Sequence, residues 1–429
     1  MAGPKLSPLD ALKGALEDAE AKIQEESGRN LNDLRALLND YLRRGDEPER
    51  RQLLREYERG GKLTGPHGIR RRLGAIDMEF FGRAYFGHYF SRPSPAFHRE
   101  LDAIWRDGVL KGRHPLTDAD VKAISRLPGS RRVVAAPRGH AKSTNLTFKG
   151  TMHAVLYQYK HYPIILSDSS EQAEGFLESI RVELEDNAAI REDFGELAGP
   201  VWRGNVLVTK TNIKIEAIGS GKKIRGRKHR NWRPDLIVLD DVENDENVRT
   251  PEQRRKLRDW YNKAVSKAGD DYTDIVYIGT LLHYDSLLAN TLRNPAYQAI
   301  KYKAVIRWSK ADALWREWEA LYTDLDDPDR AAHALSYFEA RRAEMLAGTE
   351  VLWEAKLSYY DLMCIRISEG ESSFNSELQN EPINPDDCIF MEEWLDYYNE
   401  AEINFGSADF AFFGFVDPSL GKSKNSDYS

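Results

Sequence analysis

Two short stretches hold residues whose types and spacing could do chemistry together. In the first, an apolar run at 131–136 feeds a turn, Pro137-Arg138-Gly139-His140-Ala141, which opens into Lys142, Ser143 and Thr144. In the second, the apolar run that starts at Asp235 ends in Asp240, Asp241 and, two residues later, Glu243. A turn leading into a helix start aims unpaired backbone N–H groups and the positive end of the helix dipole at an anion. Lys142 would add a cation on the β- and γ-phosphates of a nucleotide, and the Ser143 hydroxyl would ligate Mg²⁺. Asp240, at the end of a buried strand, would hold the same ion. Asp241 or Glu243 would polarise an attacking water.

The turn departs from the general nucleotide-loop pattern. Ala136 and Ala141 stand where that pattern has glycines, so Lys142 and Ser143 alone remain of its fixed residues. Alone, the pair could simply begin an ordinary surface helix; the carboxylate strand at the spacing of a nucleotide-binding core argues against that.

Elements able to position these groups are legible around them. Strands are expected at 131–136, 163–167, 206–209, 213–217, 236–240 and 274–279, and helices at 142–158, 170–186, 251–268 and 284–292. Apolar strands alternating with amphipathic helices predict a mostly parallel sheet covered on both faces. The pair 206–209 and 213–217, joined through Lys210-Thr211-Asn212, predicts an antiparallel hairpin in or beside that sheet. Residues 1–70 carry leucines at helical spacing and read as a helical hairpin or arm, solvated or partner-binding. Residues 76–105 are dense in aromatics (Phe80, Phe81, Tyr85, Phe86, Tyr89, Phe90, Phe97, Trp105) and read as packed helices, one of whose rings, or His98, could stack on an adenine. Residues 306–385, with Trp308, Trp315, Trp318 and Trp353, read as a helical subdomain.

Composition narrows the class. The 429 residues allow two or three domains with their own cores. Two cysteines, Cys364 and Cys388, make neither a metal site nor a disulfide framework and fit a reducing compartment. No signal region and no long apolar run is present, which predicts a soluble protein. A net charge of −8 excludes a uniformly basic nucleic-acid coat, though a local basic patch remains open.

Taken in order, Pro137 to Ser143, Ile224-Arg225-Gly226, Arg233 to Asp241, Gly279-Thr280 and Phe415-Val416-Asp417-Pro418 resemble the large terminase subunit of tailed bacteriophages, over about residues 76–429. The resemblance implies an α/β fold: a RecA-like P-loop ATPase of the additional-strand type at 71–305, with a mostly parallel central sheet. A helical N-terminal arm would occupy 1–70, a helical linker subdomain 306–385, and a linker with the start of an RNase H-like nuclease domain 386–429. It implies ATP and Mg²⁺ as cofactors, with Mg²⁺ or Mn²⁺ for a complete nuclease. Double-stranded DNA, a portal protein, a small terminase subunit and other copies of the chain, in a ring on the procapsid, would be its partners in the host cytoplasm.

Carried over residue by residue, Arg138, Gly139, His140, Ala141, Lys142, Ser143 and Thr144 form the nucleotide loop, Arg138 matching an arginine within the family's variant loop. Asp240 takes the Mg²⁺ side, and Thr280 with Gly279 matches the coupling motif that senses the γ-phosphate. The family often has Glu beside the Mg²⁺ aspartate; here Asp241 is adjacent and Glu243 lies two residues on, so either is the candidate catalytic carboxylate. Arg225 sits in a basic, glycine-loosened run, 219–230, and reads as an arginine finger for a neighbour's ATP, a DNA-gripping residue or part of a solvated loop. Lys222, Lys223, Arg227, Lys228 and Arg230 are candidates for DNA contact. Asp417 matches a first nuclease metal ligand and Asp427 could be a second acid; two-metal chemistry needs more carboxylates than these, so nuclease activity is not expected of this chain. His140 and His283 read as hydrogen-bonding neighbours of the site. Competing readings are a helicase-like or recombination ATPase, and a degenerate nucleotide-binding scaffold that docks to the portal.

Overall fold

A computed structural model of the chain describes residues 30–113 and 118–382, all within one compact unit, Met1–Ile383. Its centre is an eight-stranded sheet of β1 (Arg131–Ala135), β2 (Pro163–Ser167), β3 (Ala198–Arg203), β4 (Val206–Thr209), β5 (Lys214–Gly219), β6 (Leu236–Asp240), β7 (Asp274–Gly279) and β8 (Gln298–Lys301). The spatial order is β3-β4-β5-β2-β6-β7-β1-β8. The strands from β5 to β8 in that order all run parallel, and β3–β4 and β4–β5 are antiparallel. The expected hairpin is therefore β4–β5, at the side of the sheet, with Asn212 in the left-handed conformation its turn needs (φ 62°).

The central strands read as unbroken apolar runs because both faces are covered. Every residue of β2, β6 and β7 is buried. Fully burying one Val, Ile or Leu side chain contributes about 1.5–3 kcal/mol. One face carries Ile164, Ile237, Leu239, Ile275 and Tyr277 against the helix Pro251–Lys263; the other packs Ile165, Val238, Val276 and Ile278 with the helices Met78–Phe86, Ala96–Gly108 and Ser170–Asp186. The helix Pro251–Lys263 starts on a capping box, Thr250 with Gln253, and Pro251 at its first position.

Strand β7 lies between β1, which delivers the nucleotide-type loop, and β6, which delivers the carboxylates. That is the RecA-like arrangement with an additional strand. Because these strands are parallel, the loop after β1, Asp240 and Asp241 after β6, and Gly279-Thr280 after β7 share one sheet edge, where open α/β sheets bind ligands.

Around the sheet, residues 30–41 are helical and, with Pro48–Glu58, bury Leu34, Leu38, Tyr41, Leu42 and Leu53 in the same core as the aromatics Phe80, Phe81, Phe86 and Trp105. Residues 304–378 have their own cluster of Trp315, Trp318, Phe338, Met345, Tyr359 and Phe374, built on the helices Asp312–Thr323, Arg330–Met345, Tyr359–Glu369 and Glu371–Glu377. A short pair, β9 (Val305–Arg307) with β10 (Glu350–Val351), ties that region together. No helix among the described residues is long and apolar enough to cross a membrane.

Candidate functional site

After β1 the backbone turns through Gly139 (φ 74°) and Ala141 (φ 59°), both left-handed. Gly139 adopts this at no steric cost; Ala141 takes on Cβ crowding of about 1–2 kcal/mol. The backbone at 141 thus keeps a glycine-type conformation although the side chain is a methyl. The helix that follows begins with a π-type stretch, Ser143–Gly150, and continues as Thr151–Leu156.

The carbonyls of four consecutive loop residues are each taken up by a side chain. His140 Nδ1 donates to Arg138 O (3.0 Å), Lys356 Nζ to Gly139 O, His98 Nε2 to His140 O (3.1 Å) and Asn145 Nδ2 to Ala141 O (3.0 Å). In a trans peptide the N–H points opposite to the preceding carbonyl. The N–H groups of Gly139, Ala141 and Lys142 accordingly face the other way, and no acceptor takes them among the described residues. They form a nest of donors at a helix start, the arrangement that cradles phosphate.

Lys142 is buried, and its ammonium donates to Thr280 Oγ1 (2.9 Å) and lies 3.1 Å from Asp241 Oδ2. Thr280 N–H in turn donates to Asp241 Oδ1 (3.1 Å). Beside it, a Cβ at Gly279 would come to 2.9 Å from Leu288 Cδ2, so that side chain would have to shift. Asp241 has φ 44°, a left-handed turn directly off the strand that aims its carboxylate toward Lys142 and Thr280.

Ser143 Oγ donates to Asp240 Oδ1 (2.9 Å), and Thr147 Oγ1, one helical turn on, donates to Oδ2. Asp240 is fully buried; that burial, and the neighbouring Asp241 charge, hold its carboxyl well above the usual range, while Lys142, Thr147 and Ser143 act the other way. A divalent cation would relieve the paired carboxylates. Asp240 and Ser143 supply two oxygen ligands suited to Mg²⁺, which fits an ion that takes its other ligands from phosphate and water. No cluster of three or more His, Cys, Asp or Glu able to hold a metal by itself exists among the described residues.

Glu243 departs from expectation. Its buried carboxylate accepts the N–H groups of Leu287 (2.5 Å) and Leu288 (2.8 Å) and the Tyr277 hydroxyl (3.0 Å). It caps the helix Leu287–Leu292 and is thereby engaged away from Lys142 and Ser143. Of the two candidate carboxylates, Asp241 is the one beside Lys142 and Thr280. The Arg138 guanidinium makes a bidentate pair with Glu377 (2.5 and 3.0 Å), on the helix Glu371–Glu377. The His140 ring is turned back against Phe97 and Trp353, and burial lowers its pKa to about 4, so it remains a neutral hydrogen-bonding neighbour while its backbone shapes the loop. Thr144 follows Ser143 in the first helical turn, half-buried.

Arg225 is exposed, between buried Ile224 and Gly226 (φ 77°), on the loop that leaves β5 at the carboxyl edge of the sheet. Nothing among the described residues links it to Lys142 or Ser143. In the same loop Arg227 pairs with Glu216 and Arg230 donates to Asn212, whereas Lys222, Lys223 and Lys228 are exposed. Asp417 and Asp427 lie outside the described residues. Three contributors escaped sequence reasoning, Thr147, Lys356 and Glu377, while His98, considered there as a ring that could stack on an adenine, donates to a loop carbonyl. Only Thr147 had a local signal, its place four residues after Ser143 on the same helix face.

A cavity of about 300 Å³ adjoins the loop at Ala141, lined among others by Tyr89, Phe90, Arg92, His98, Trp353 and Lys356. It has no acidic residue in its wall.

No family model and no curated protein matches the chain. Among solved structures it is similar to the large terminase of bacteriophage HK97, at 16% identity and a TM-score of 0.33, over 61% of this chain and 50% of that one. This chain therefore spans about half the length of the HK97 protein. It is also similar to the large terminase ATPase domain of Thermus phage P74-26, in a mutant form (13% identity, TM-score 0.35, 61% of this chain and 93% of that one) and a second form (17%, 0.29, 59% and 99%). The molecule is a mixed α/β protein whose eight-stranded, mostly parallel sheet has the RecA-like strand order with an additional strand between the loop-bearing and carboxylate-bearing strands.

Proposed function

We propose that this chain is the ATP-hydrolysing motor part of a phage large terminase subunit, translocating double-stranded DNA into a procapsid. The observation that carries the reading is the convergence of Lys142 and Ser143 with Asp240, Asp241 and Thr280 at the tips of three adjacent parallel strands.

In this reading the free N–H groups of Gly139, Ala141 and Lys142 receive the phosphates, and Lys142 leaves Asp241 to neutralise them. Ser143 and Asp240 would hold Mg²⁺, which when bound supplies charge stabilisation on the phosphoryl oxygens. Asp241, released from Lys142, accepts a hydrogen bond from the attacking water and orients it. Thr280, bonded to both Lys142 and Asp241, registers whether the γ-phosphate is present. The aromatic and cationic cavity beside Ala141 receives the base and sugar. Arg225, on an exposed loop between an anchored isoleucine and a glycine, acts in trans on a neighbour's nucleotide within a ring on the procapsid. Lys222, Lys223 and Lys228 contact DNA phosphates, with Arg227 and Arg230 in reserve behind their present partners. A portal protein and a small terminase subunit complete the assembly in the host cytoplasm, and Asp417 would serve the nuclease part of such a protein.

Steady-state ATP hydrolysis with and without double-stranded DNA tests the reading. Lys142→Ala should lose both binding and turnover, and Arg225→Ala should lose turnover while keeping binding. Binding without turnover by the wild-type chain under every condition, portal and DNA included, would instead select the scaffold reading.

A further inference from the structure

The loop's donors can face a phosphate only if its carbonyls are held on the opposite side, and one of the holding groups comes from the aromatic-rich helix that precedes the sheet. His98 lies on the helix Ala96–Gly108, is 4% exposed, and donates from Nε2 to His140 O at 3.1 Å. Its ring packs edge-on against Trp353, with centroids 4.7 Å apart, and Trp353 Nε1 donates to Pro93 O just before the same helix. The ring is therefore fixed from two sides. The peptide whose oxygen it holds is the one whose nitrogen is the Ala141 N–H, the middle donor of the nest. Ala141 is also the left-handed alanine, the residue of the loop with most to gain by relaxing to another conformation.

We propose that His98 is a positioning residue for the phosphate loop: by donating to the His140 carbonyl it locks the 140–141 peptide so that the Ala141 N–H points into the anion nest. The inference deepens the nucleotide reading and rests on it for its consequence, though not for its geometry. The other three carbonyls are held by His140 and Asn145, which are local to the loop and its helix, and by Lys356, which arrives from the region after the sheet. Of the four side chains that hold these carbonyls, His98 is the one carried by a helix that precedes the sheet. Burial lowers its pKa to about 4, so the ring is neutral at neutral pH; with Nε2 as the donor it carries its proton there.

Two variants separate donation from packing. His98→Phe keeps a ring against Trp353 and removes the donor; His98→Gln restores an N–H close to the position of Nε2. The first readout needs no nucleotide: amide hydrogen exchange of the 136–148 segment in the full chain. Exchange should be faster in His98→Phe and return toward wild type in His98→Gln. The second is ATP affinity, where His98→Phe should weaken binding about tenfold, the scale of one lost buried hydrogen bond, with His98→Gln within about threefold of wild type. The weakening should fall on the KM for ATP more than on kcat. His98→Ala, lacking ring and donor together, is read against His98→Gln in the same way if the phenylalanine variant does not fold. Unchanged exchange in His98→Phe, or equal acceleration in the Phe and Gln variants, overturns the proposal. If the wild-type chain binds no nucleotide, the ATPase reading fails, and the exchange result still decides whether His98 sets the loop.

Discussion

Arg138 and Glu377, 239 positions apart in sequence, form a bidentate ion pair, and the same two residues are joined again through Arg138 N–H and Glu377 O at 2.9 Å. The loop arginine is thus shared between the sheet and the helical region that follows it. A nucleotide that recruits Arg138 must compete with Glu377. Glu377→Gln should therefore lower the KM for ATP severalfold while changing stability by less than about 1 kcal/mol, because the arginine is largely exposed. An unchanged KM would show that Arg138 serves to anchor the loop and does not reach the nucleotide.

The two carboxylates after β6 should part company under mutation. Asp241→Asn should lower kcat by about 10²–10⁴-fold with ATP binding retained. Glu243→Ala strands two buried N–H groups and the Tyr277 hydroxyl, and should cost about 2–4 kcal/mol of folding stability. Chemical denaturation beside turnover measurements distinguishes them. A folded, stable Glu243→Ala protein with no turnover would return Glu243 to the catalytic role.

Ala141→Gly should be tolerated or stabilising, by up to about 1 kcal/mol, since relief of the left-handed strain is partly offset by the extra freedom of glycine in the unfolded chain. Ala141→Val should be destabilising and weaken ATP binding, as a β-branched residue resists φ 59°. Urea midpoints and ATP titrations of both variants give the comparison; a valine variant as stable as wild type would contradict the loop geometry.

Acid should destabilise the fold through its buried histidines. His153 donates from Nε2 to Gly74 O (3.0 Å) and accepts from the Tyr159 hydroxyl at Nδ1 (2.7 Å), and burial lowers its pKa to about 3. A folded pKa below the unfolded value means that the unfolded chain binds the extra proton. The contribution is complete above about pH 6.5 and is lost as pH falls below it, at about 2 kcal/mol by pH 5. Asp102, whose pKa burial raises to about 6, works in the opposite sense. The test is consequently the difference between wild type and His153→Gln from pH 7.5 to 5, in which the variant should lose less stability; parallel curves would place the acid sensitivity elsewhere.

Much of this architecture was legible before any coordinates. The runs 163–167, 236–240 and 274–279 are strands as expected, because burial on both faces leaves their interiors apolar, and 206–209 is one as well although its two valines are only half-buried. Strand β3 was missed: it is a half-exposed edge with Gly199 and Pro200 inside it, and its pairing with β4 slips between Ala198 and Val201. Strand β8, at the other edge, is four mostly exposed residues with no periodic signal. The helix expected at 284–292 begins at Leu287, since Ser286 caps it. The structure brings Lys142 to Thr280 and Ser143 to Asp240, residues that each end or begin an element with a strong pattern. Glu243's contacts with Leu287, Leu288 and Tyr277 could not be read, because proximity along the chain says nothing about which way a residue past a strand end turns. His98, Lys356 and Glu377 act on the loop through contacts that only the fold creates.

Lys142, Asp241 and Thr280 close a small circuit in which each member satisfies the other two. In the proposed ATPase reading, the cation assigned to phosphate and the carboxylate assigned to water neutralise one another. An arriving polyphosphate would draw Lys142 away and free Asp241 in the same event, so that loading and arming would be a single transition.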